Sequence, residues 1–365
     1  MRDPVCLADF ESRAEALLPA DVWDFVAGGS GAETTLNANR AALDAVGLLP
    51  RVLTGAGPAD TRCRLVRAGA SMPVATAPMA YQRLVHPDGE LALAAAARDA
   101  GVPYTAATLS SVPLKEITAV GGTVWLQLYW LKHRDRVDEL LATAADAGCQ
   151  AVMVTVDVPM LGRRLRDVRN EFRLPAGVSA ANLAATPTSA AHRAVNGGSA
   201  IAAHTEELFA PALGWSDLDW LRARVELPLV VKGILDPRDA RRAAEAGADA
   251  VVVSNHGGRQ LDGAAASITA LPGVVEAVAP TTEVLLDSGI RGGVDVLRAL
   301  ALGASGVLVG RPLLWGLAVD GAHGARQVLE LLGGELRDAL TLAGCANPTA
   351  ARTLAVLPNE RGIPQ

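Results

Sequence analysis

Four stretches decide how this chain folds: AVMVTVD (151–157), PLVVK (228–232), AVVVS (250–254) and EVLLD (283–287). Each is a short, almost unbroken apolar run that ends on a polar side chain. Parallel strands covered on both faces read this way, because neither face meets water. Four further runs extend the series outward: PVATAP (73–78), VPYTAA (102–107), TVWLQLY (123–129) and GVLVG (306–310). Ala- and Leu-rich helical stretches such as 89–100 and 135–148 separate them. Eight strand–helix units predict an α/β chain folded as a (β/α)8 TIM barrel.

The gap from 157 to 228 is far longer than the others, so an insertion is predicted after the fourth strand. Its middle, residues 175–205, is rich in Ala, Ser, Gly and Pro, with one Arg and no acidic residue. Long segments of this kind in compact domains are functional or irregular, and a lid is expected there. The whole reads as a single domain: a helical extension at 1–65, a barrel at 66–324 with the lid insertion at about 165–225, and closing helices and tail at 325–365.

Of the 365 residues, 50% are hydrophobic and 20% charged, which fits a globular chain with a sizeable core and excludes a disordered or disulfide-stapled one. Lys+Arg 33 against Asp+Glu 39 leaves a net charge of −6, no footprint for nucleic acid, so a small-molecule partner is expected. Cys6, Cys63, Cys149 and Cys345 lie far apart and read as reduced thiols of a cytoplasmic protein. Acidic residues break up MRDPVCLADFESR before an apolar leader core forms, and no run approaches the roughly 20 apolar residues of a membrane span. No membrane association is predicted.

In this fold the active site forms where the strands end. Gln127 and Tyr129 close the third strand, Thr155 and Asp157 the fourth, Lys232 the fifth, Ser254 and His256 the sixth, Asp287 the seventh, and Gly310 with Arg311 the eighth. A lone Asp at a strand end is ordinarily a cap or turn residue. A ring of such groups around one mouth is an active-site pattern. In SNHGGRQLD (254–262), two glycines let one turn present both His256 and Arg259. An imidazole exchanges protons near neutral pH, and a guanidinium grips a carboxylate through paired hydrogen bonds.

The basic stretch LGRRLRDVRNEFR (161–173) has the composition of a solvated face, yet Arg163 or Arg164 lies close enough to the mouth to join Arg259. Two converging arginines imply an anionic substrate. Lys232 ends the apolar run LPLVVKG and needs an anionic partner there. Schiff-base chemistry, as in barrel aldolases, and charge stabilisation of a cofactor both suit it. The turns DSGIRGG (287–293) and VGRP (309–312) follow strands seven and eight, the fold's usual phosphate site, where Arg291 or Arg311 would assist. They also read as plain tight turns. His256 has no second histidine at ligand spacing, so no metal site is predicted.

In order and spacing, QLY (127–129), TVDVPMLGRR (155–164), VKG (231–233), SNHGGRQLD (254–262), LDSGIRGGVDV (286–296), LALGASGVLVGRP (300–312) and LAGC (342–345) resemble the motifs of the FMN-dependent α-hydroxy-acid oxidase and dehydrogenase family. The resemblance runs from about residue 5 to 357. It implies FMN as cofactor, met by the backbone of Pro78, Met79 and Ala80, with Gln127, Thr155, Lys232 and Ser254 around the flavin ring. Asp287, Gly289, Arg291, Gly310 and Arg311 would hold the ribityl chain and phosphate. It further implies a 2-hydroxy acid whose carboxylate is gripped by Arg164 and Arg259, with Tyr129 donating to it and His256, paired with Asp157, as the base. Hydride transfer and α-proton abstraction both stay open.

Three departures from the family pattern matter. WDF stands where a YDY-type motif is usual, so Phe25 replaces a phenol with an apolar wall and favours an aryl substrate. Ala107 takes the place of a flavin-contacting serine or threonine, leaving Thr108 beside it for that contact. DSG replaces DGG, which puts Ser288 where glycine is usual. Within the family the chain is most similar to members acting on 4-hydroxymandelate. That implies conversion of the (S)-acid to 4-hydroxybenzoylformate with O2 as acceptor, a quinone or protein acceptor being the alternative, in a homotetramer or homo-octamer.

Overall fold

The computed structural model describes residues 3–183, 190–192 and 199–358. All eight predicted runs form strands: β1 Val74–Thr76, β2 Tyr104–Ala107, β3 Val124–Leu128, β4 Ala151–Thr155, β5 Leu229–Ile234, β6 Ala250–Val253, β7 Glu283–Leu286 and β8 Gly306–Val309. They join in parallel in the order β1-β8-β7-β6-β5-β4-β3-β2. At the remaining seam the Thr76 N–H donates to Pro103 O at 2.9 Å and the Thr105 N–H to Thr76 Oγ1 at 2.8 Å. The fold is a (β/α)8 barrel.

Alternation along each strand sorts side chains between two cores. Val152, Val154, Val231 and Val251 face outward into the layer beneath the helices. Ala151, Met153, Val230, Val252 and Leu285 face inward and meet Trp125 on the barrel axis. The hairpin of Cys63–Leu65 and Ala68–Ala70 plugs the N-terminal mouth, its Leu65 and Val66 packed into that inner cluster.

The extension carries helices α1 (Leu7–Leu17), α2 (Ala20–Ala27) and α3 (Thr34–Asp44). It is not helical throughout: besides the plug, Val46–Leu48 forms an antiparallel pair with Val356–Pro358. Helix Arg311–Leu342 follows β8 directly and breaks at Asp320 and Gly321, shortly before the expected boundary at 325. After β4 the described part of the insertion contains short helices Leu165–Arg169, Ala190–His192, Ala200–Leu208 and Trp215–Arg222. Part of the stretch read as an irregular lid is thus helical, while 184–189 and 193–198 lie outside the described residues. Among the described residues no helix is long and apolar enough to cross a membrane.

Candidate active site

Register sets the site. Thr155 pairs with Lys232 across β4 and β5. Beyond Lys232 the ladder to β6 slips, with Gly233 at φ 111. A Cβ on Gly233 would lie 2.7 Å from Cβ and Cγ of Asp157, so glycine is what allows that carboxylate to rest against β5. There Asp157 Oδ1 accepts a hydrogen bond from His256 Nδ1 at 3.0 Å. The bond keeps the imidazole proton on Nδ1 and leaves Nε2, 3.5 Å from the Tyr129 hydroxyl, as an acceptor. Burial pulls the His256 pKa below its ordinary value, although Asp157 opposes it, so the imidazole is a neutral base. Burial would raise Asp157, but the adjacent imidazole and Lys232 outweigh it and hold the carboxyl below its ordinary range.

His256 adopts φ 60, and its turn is pinned from two sides. Its N–H donates to Ser254 Oγ at 3.0 Å. Its neighbour Asn255 trades amide hydrogen bonds of 2.9 and 2.7 Å with Asn39 on α3. The N-terminal helices are therefore part of the active-site frame.

Lys232 Nζ lies 2.9 Å from Asp287 Oδ2 and donates to Ser254 Oγ at 3.0 Å. Burial disfavours its charge, yet Asp287 and Asp157 more than compensate, raising its pKa. A lysine held charged in an ion pair is no free amine nucleophile, which counts against the aldolase reading. Ser288 takes the left-handed conformation (φ 78) suited to glycine. Its hydroxyl donates to Asp287 Oδ1 at 2.8 Å and accepts the Gly257 N–H at 3.0 Å, tying the β7 loop to the His256 turn.

Arg164 is buried on the cavity wall, whereas Arg163 is exposed. Arg259 donates to Phe25 O and Gly28 O at 2.8 Å each, and Arg311 to Val26 O at 3.1 Å and Gly28 O at 3.0 Å. Both thus cap the negative end of α2. Burial, then the neighbouring guanidinia, drive Arg259 well below its ordinary pKa and Arg311 down to about 9. Burial chiefly brings Arg291 down to about 10. Half-buried guanidinium charge that donates to carbonyls is the electrostatic complement of anionic ligands. Phe25 stacks on Phe172 (centroids 4.6 Å apart) and lies under both Arg164 and Arg259.

Pro78, Met79, Ala80, Tyr129, Lys232, His256, Asp287, Gly289, Arg291, Gly310 and Arg311 share one cavity with Phe25, Arg164 and Arg259. Thr108, Gln127, Thr155 and Ser254 are buried among the strand ends behind that wall. Gln127 Nε2 donates to Thr155 Oγ1 at 3.0 Å. The Thr108 hydroxyl donates to Gln127 O at 2.8 Å and accepts the Tyr129 N–H at 3.0 Å, so it is spent on the strand ends.

The FMN-dependent dehydrogenase family matches residues 14–356. The chain belongs to that family. It is 56% identical to 4-hydroxymandelate oxidase of Amycolatopsis orientalis over 350 residues, covering 96% of this chain and 97% of that one. It is 45% identical to an L-lactate oxidase of Nostoc over 94% of this chain and 95% of that one. A crystal structure of mandelate oxidase with (S)-4-hydroxymandelic acid matches with a TM-score of 0.95 at 55% identity, covering 98% of this chain and 99% of that one.

For a member of the FMN-dependent dehydrogenase family, sequence reasoning missed part of the cavity wall. Phe209 stacks on Tyr129 with centroids 4.5 Å apart, and Ile201 and Thr205 lie on the preceding helix. All three come from the insertion, where no strand end marks a position. Tyr81 and Leu109 also line the cavity. They follow the ends of β1 and β2 closely, and that position was the available signal.

Proposed function

We propose that the protein oxidises an aryl 2-hydroxy acid, (S)-4-hydroxymandelate, to 4-hydroxybenzoylformate, with O2 reduced to H2O2. One arrangement carries the reading: buried Arg164 and half-buried Arg259 stand beside a neutral His256 held by Asp157, in a cavity whose wall also carries Phe25, Leu109, Val158, Leu161, Ile201 and Phe209. An acid with an aromatic tail matches both halves. The identity to 4-hydroxymandelate oxidase supports the choice of acid and acceptor.

In this reading the arginines hold the substrate carboxylate. The buried Nε of Arg164, without a hydrogen-bond partner among the described residues, suits such a ligand. Tyr129 donates to the substrate, and His256 Nε2 takes the departing proton. Asp157 stabilises the imidazolium that results, at 3.0 Å. FMN is the family's cofactor, and when bound it accepts the electron pair and passes it to O2.

The residues present fit that cofactor. Arg291 and Arg311, half-buried and donating to carbonyls beside Gly289 and Gly310, would hold its phosphate, with Asp287 toward the ribityl chain. Lys232, Gln127 and Thr155, with the backbone of Pro78, Met79 and Ala80, would hold the ring. Thr108 and Ser254 would act behind them, by fixing Gln127 and Lys232. A cytoplasmic homotetramer or homo-octamer is the proposed form.

The test is to mix the yellow protein anaerobically with 4-hydroxymandelate, mandelate, lactate and glycolate, then admit oxygen. Fast bleaching by the aryl acids, with rapid recovery and one peroxide per turnover, is the expected result. Bleaching only by lactate or glycolate would reject the aryl substrate. Slow recovery in air would reject O2 as acceptor.

A further inference from the structure

The cavity wall contains a polar group that nothing above employs. Four side-chain hydroxyls line the wall: Tyr129, Ser288, Thr205 and Tyr81. Tyr129 faces His256, and Ser288 is bonded to Asp287. Thr205 donates to Ile201 O at 2.8 Å within its own helix. The Tyr81 hydroxyl is buried with no hydrogen-bond partner among the described residues. Folded proteins rarely leave such a group unpaired, because it has lost water and gained nothing in return.

The placement of Tyr81 is firmly set. It stands at φ 54, a conformation a bulky side chain seldom takes, at the start of the turn after β1. Its N–H donates to Leu109 O at 3.1 Å, which joins it to the apolar wall. The next residue, Gln82, locks the turn by donating from Nε2 to Met79 O at 3.2 Å and to the Tyr104 hydroxyl at 3.0 Å. Burial, and then the Tyr129 phenol nearby, raise the Tyr81 pKa, so the group is a neutral donor at any working pH.

Leu109 and Phe209 line the same cavity as Arg164 and Arg259, so the ring of a 2-hydroxy acid anchored by the two arginines would find apolar surface there. We propose that Tyr81 is a specificity residue whose hydroxyl forms a hydrogen bond with the ring hydroxyl of a 4-hydroxyaryl substrate. The inference rests on the aryl 2-hydroxy-acid reading above and adds the choice between a phenolic ring and a bare one. A pocket that merely tolerated the hydroxyl would discriminate weakly, whereas a buried partner makes the phenolic acid the better substrate.

Tyr81→Phe removes one oxygen and keeps the ring packing. The ratio of kcat/KM for 4-hydroxymandelate to that for mandelate should fall roughly fivefold to tenfold, the worth of one neutral hydrogen bond, with the mandelate value within about twofold of its original. Binding, read from perturbation of the flavin absorbance, should move in parallel: 4-hydroxyphenylacetate loses affinity relative to phenylacetate by the same factor. Equal losses for both acids would assign Tyr81 to the scaffold or the cofactor and overturn the proposal. An unchanged ratio would overturn it too. Failure of the unmodified enzyme to oxidise either aryl acid would instead reject the substrate reading itself, and is visible before any substitution is made.

Discussion

The two mouths of the barrel are built from the same strands and differ in almost everything else. At the N-terminal mouth Leu65 and Val66 of the plug close on Trp125, Met153 and Val230. Glu283 stands at that end, where burial raises its pKa and Oε2 accepts the Val66 N–H at 3.0 Å. At the C-terminal mouth, a few residues further along the same inward-facing series, stand Gln127, Thr155, Lys232, Ser254 and Asp287. Each of these buried polar groups needs a partner. They supply most of these partners to one another, Lys232 to Asp287 and Ser254 and Gln127 to Thr155, and the Ser288 hydroxyl adds a bond to Asp287. One mouth stores stability, and the other spends part of it on chemistry.

The sharpest way to break this division is one substitution at each mouth. His256→Asn should lower kcat by about 10²–10⁴-fold, the general-base contribution, while the thermal midpoint stays close to the original. Stopped-flow bleaching of the flavin measures the first and calorimetry the second. Trp125→Ala should do the reverse. It opens a cavity on the barrel axis and should cost about 3–5 kcal/mol of stability, read from the denaturant midpoint, with bleaching of the protein that remains folded within a few-fold of normal. If Trp125→Ala slowed bleaching a hundredfold without unfolding, the two mouths would not be separable.

The strands were legible because burial on both faces forces an unbroken apolar run, and a parity of two then fixes which residue at each strand end turns inward. That is why Lys232, Asp287 and Thr155 could be found without coordinates. Asp157 and His256 lie beyond the last paired residue of their strands, and their meeting depends on Gly233 and on the φ of His256, neither of which a periodic pattern encodes. The role of α2 was legible only as a missing phenol at Phe25. That its final carbonyls cap Arg259 and Arg311 follows from packing between segments more than 230 residues apart. Phe209 was invisible because the insertion has no strand end to mark it. Ser288 stands where glycine is usual, and it takes the glycine conformation and adds a hydroxyl bridge that sequence alone does not reveal.

A smaller and more discriminating effect concerns the pair at the working mouth. The base must be unprotonated to act, so kcat/KM should rise with pH through the His256 pKa and level off above it. Burial sets that pKa below 6.5, and the Asp157 carboxylate partly restores it. Asp157→Asn removes the restoring charge and leaves burial unopposed. The acidic limb should therefore move to still lower pH, while the plateau falls about tenfold to a hundredfold because the imidazolium formed in the reaction has lost its counter-charge. A purely structural Asp157 predicts a lower plateau with the limb unmoved, and a limb that moved upward would mean that another group is the titrating base. Because the substitution keeps the shape at Gly233, where the two side chains crowd, the position of the limb reports charge rather than packing.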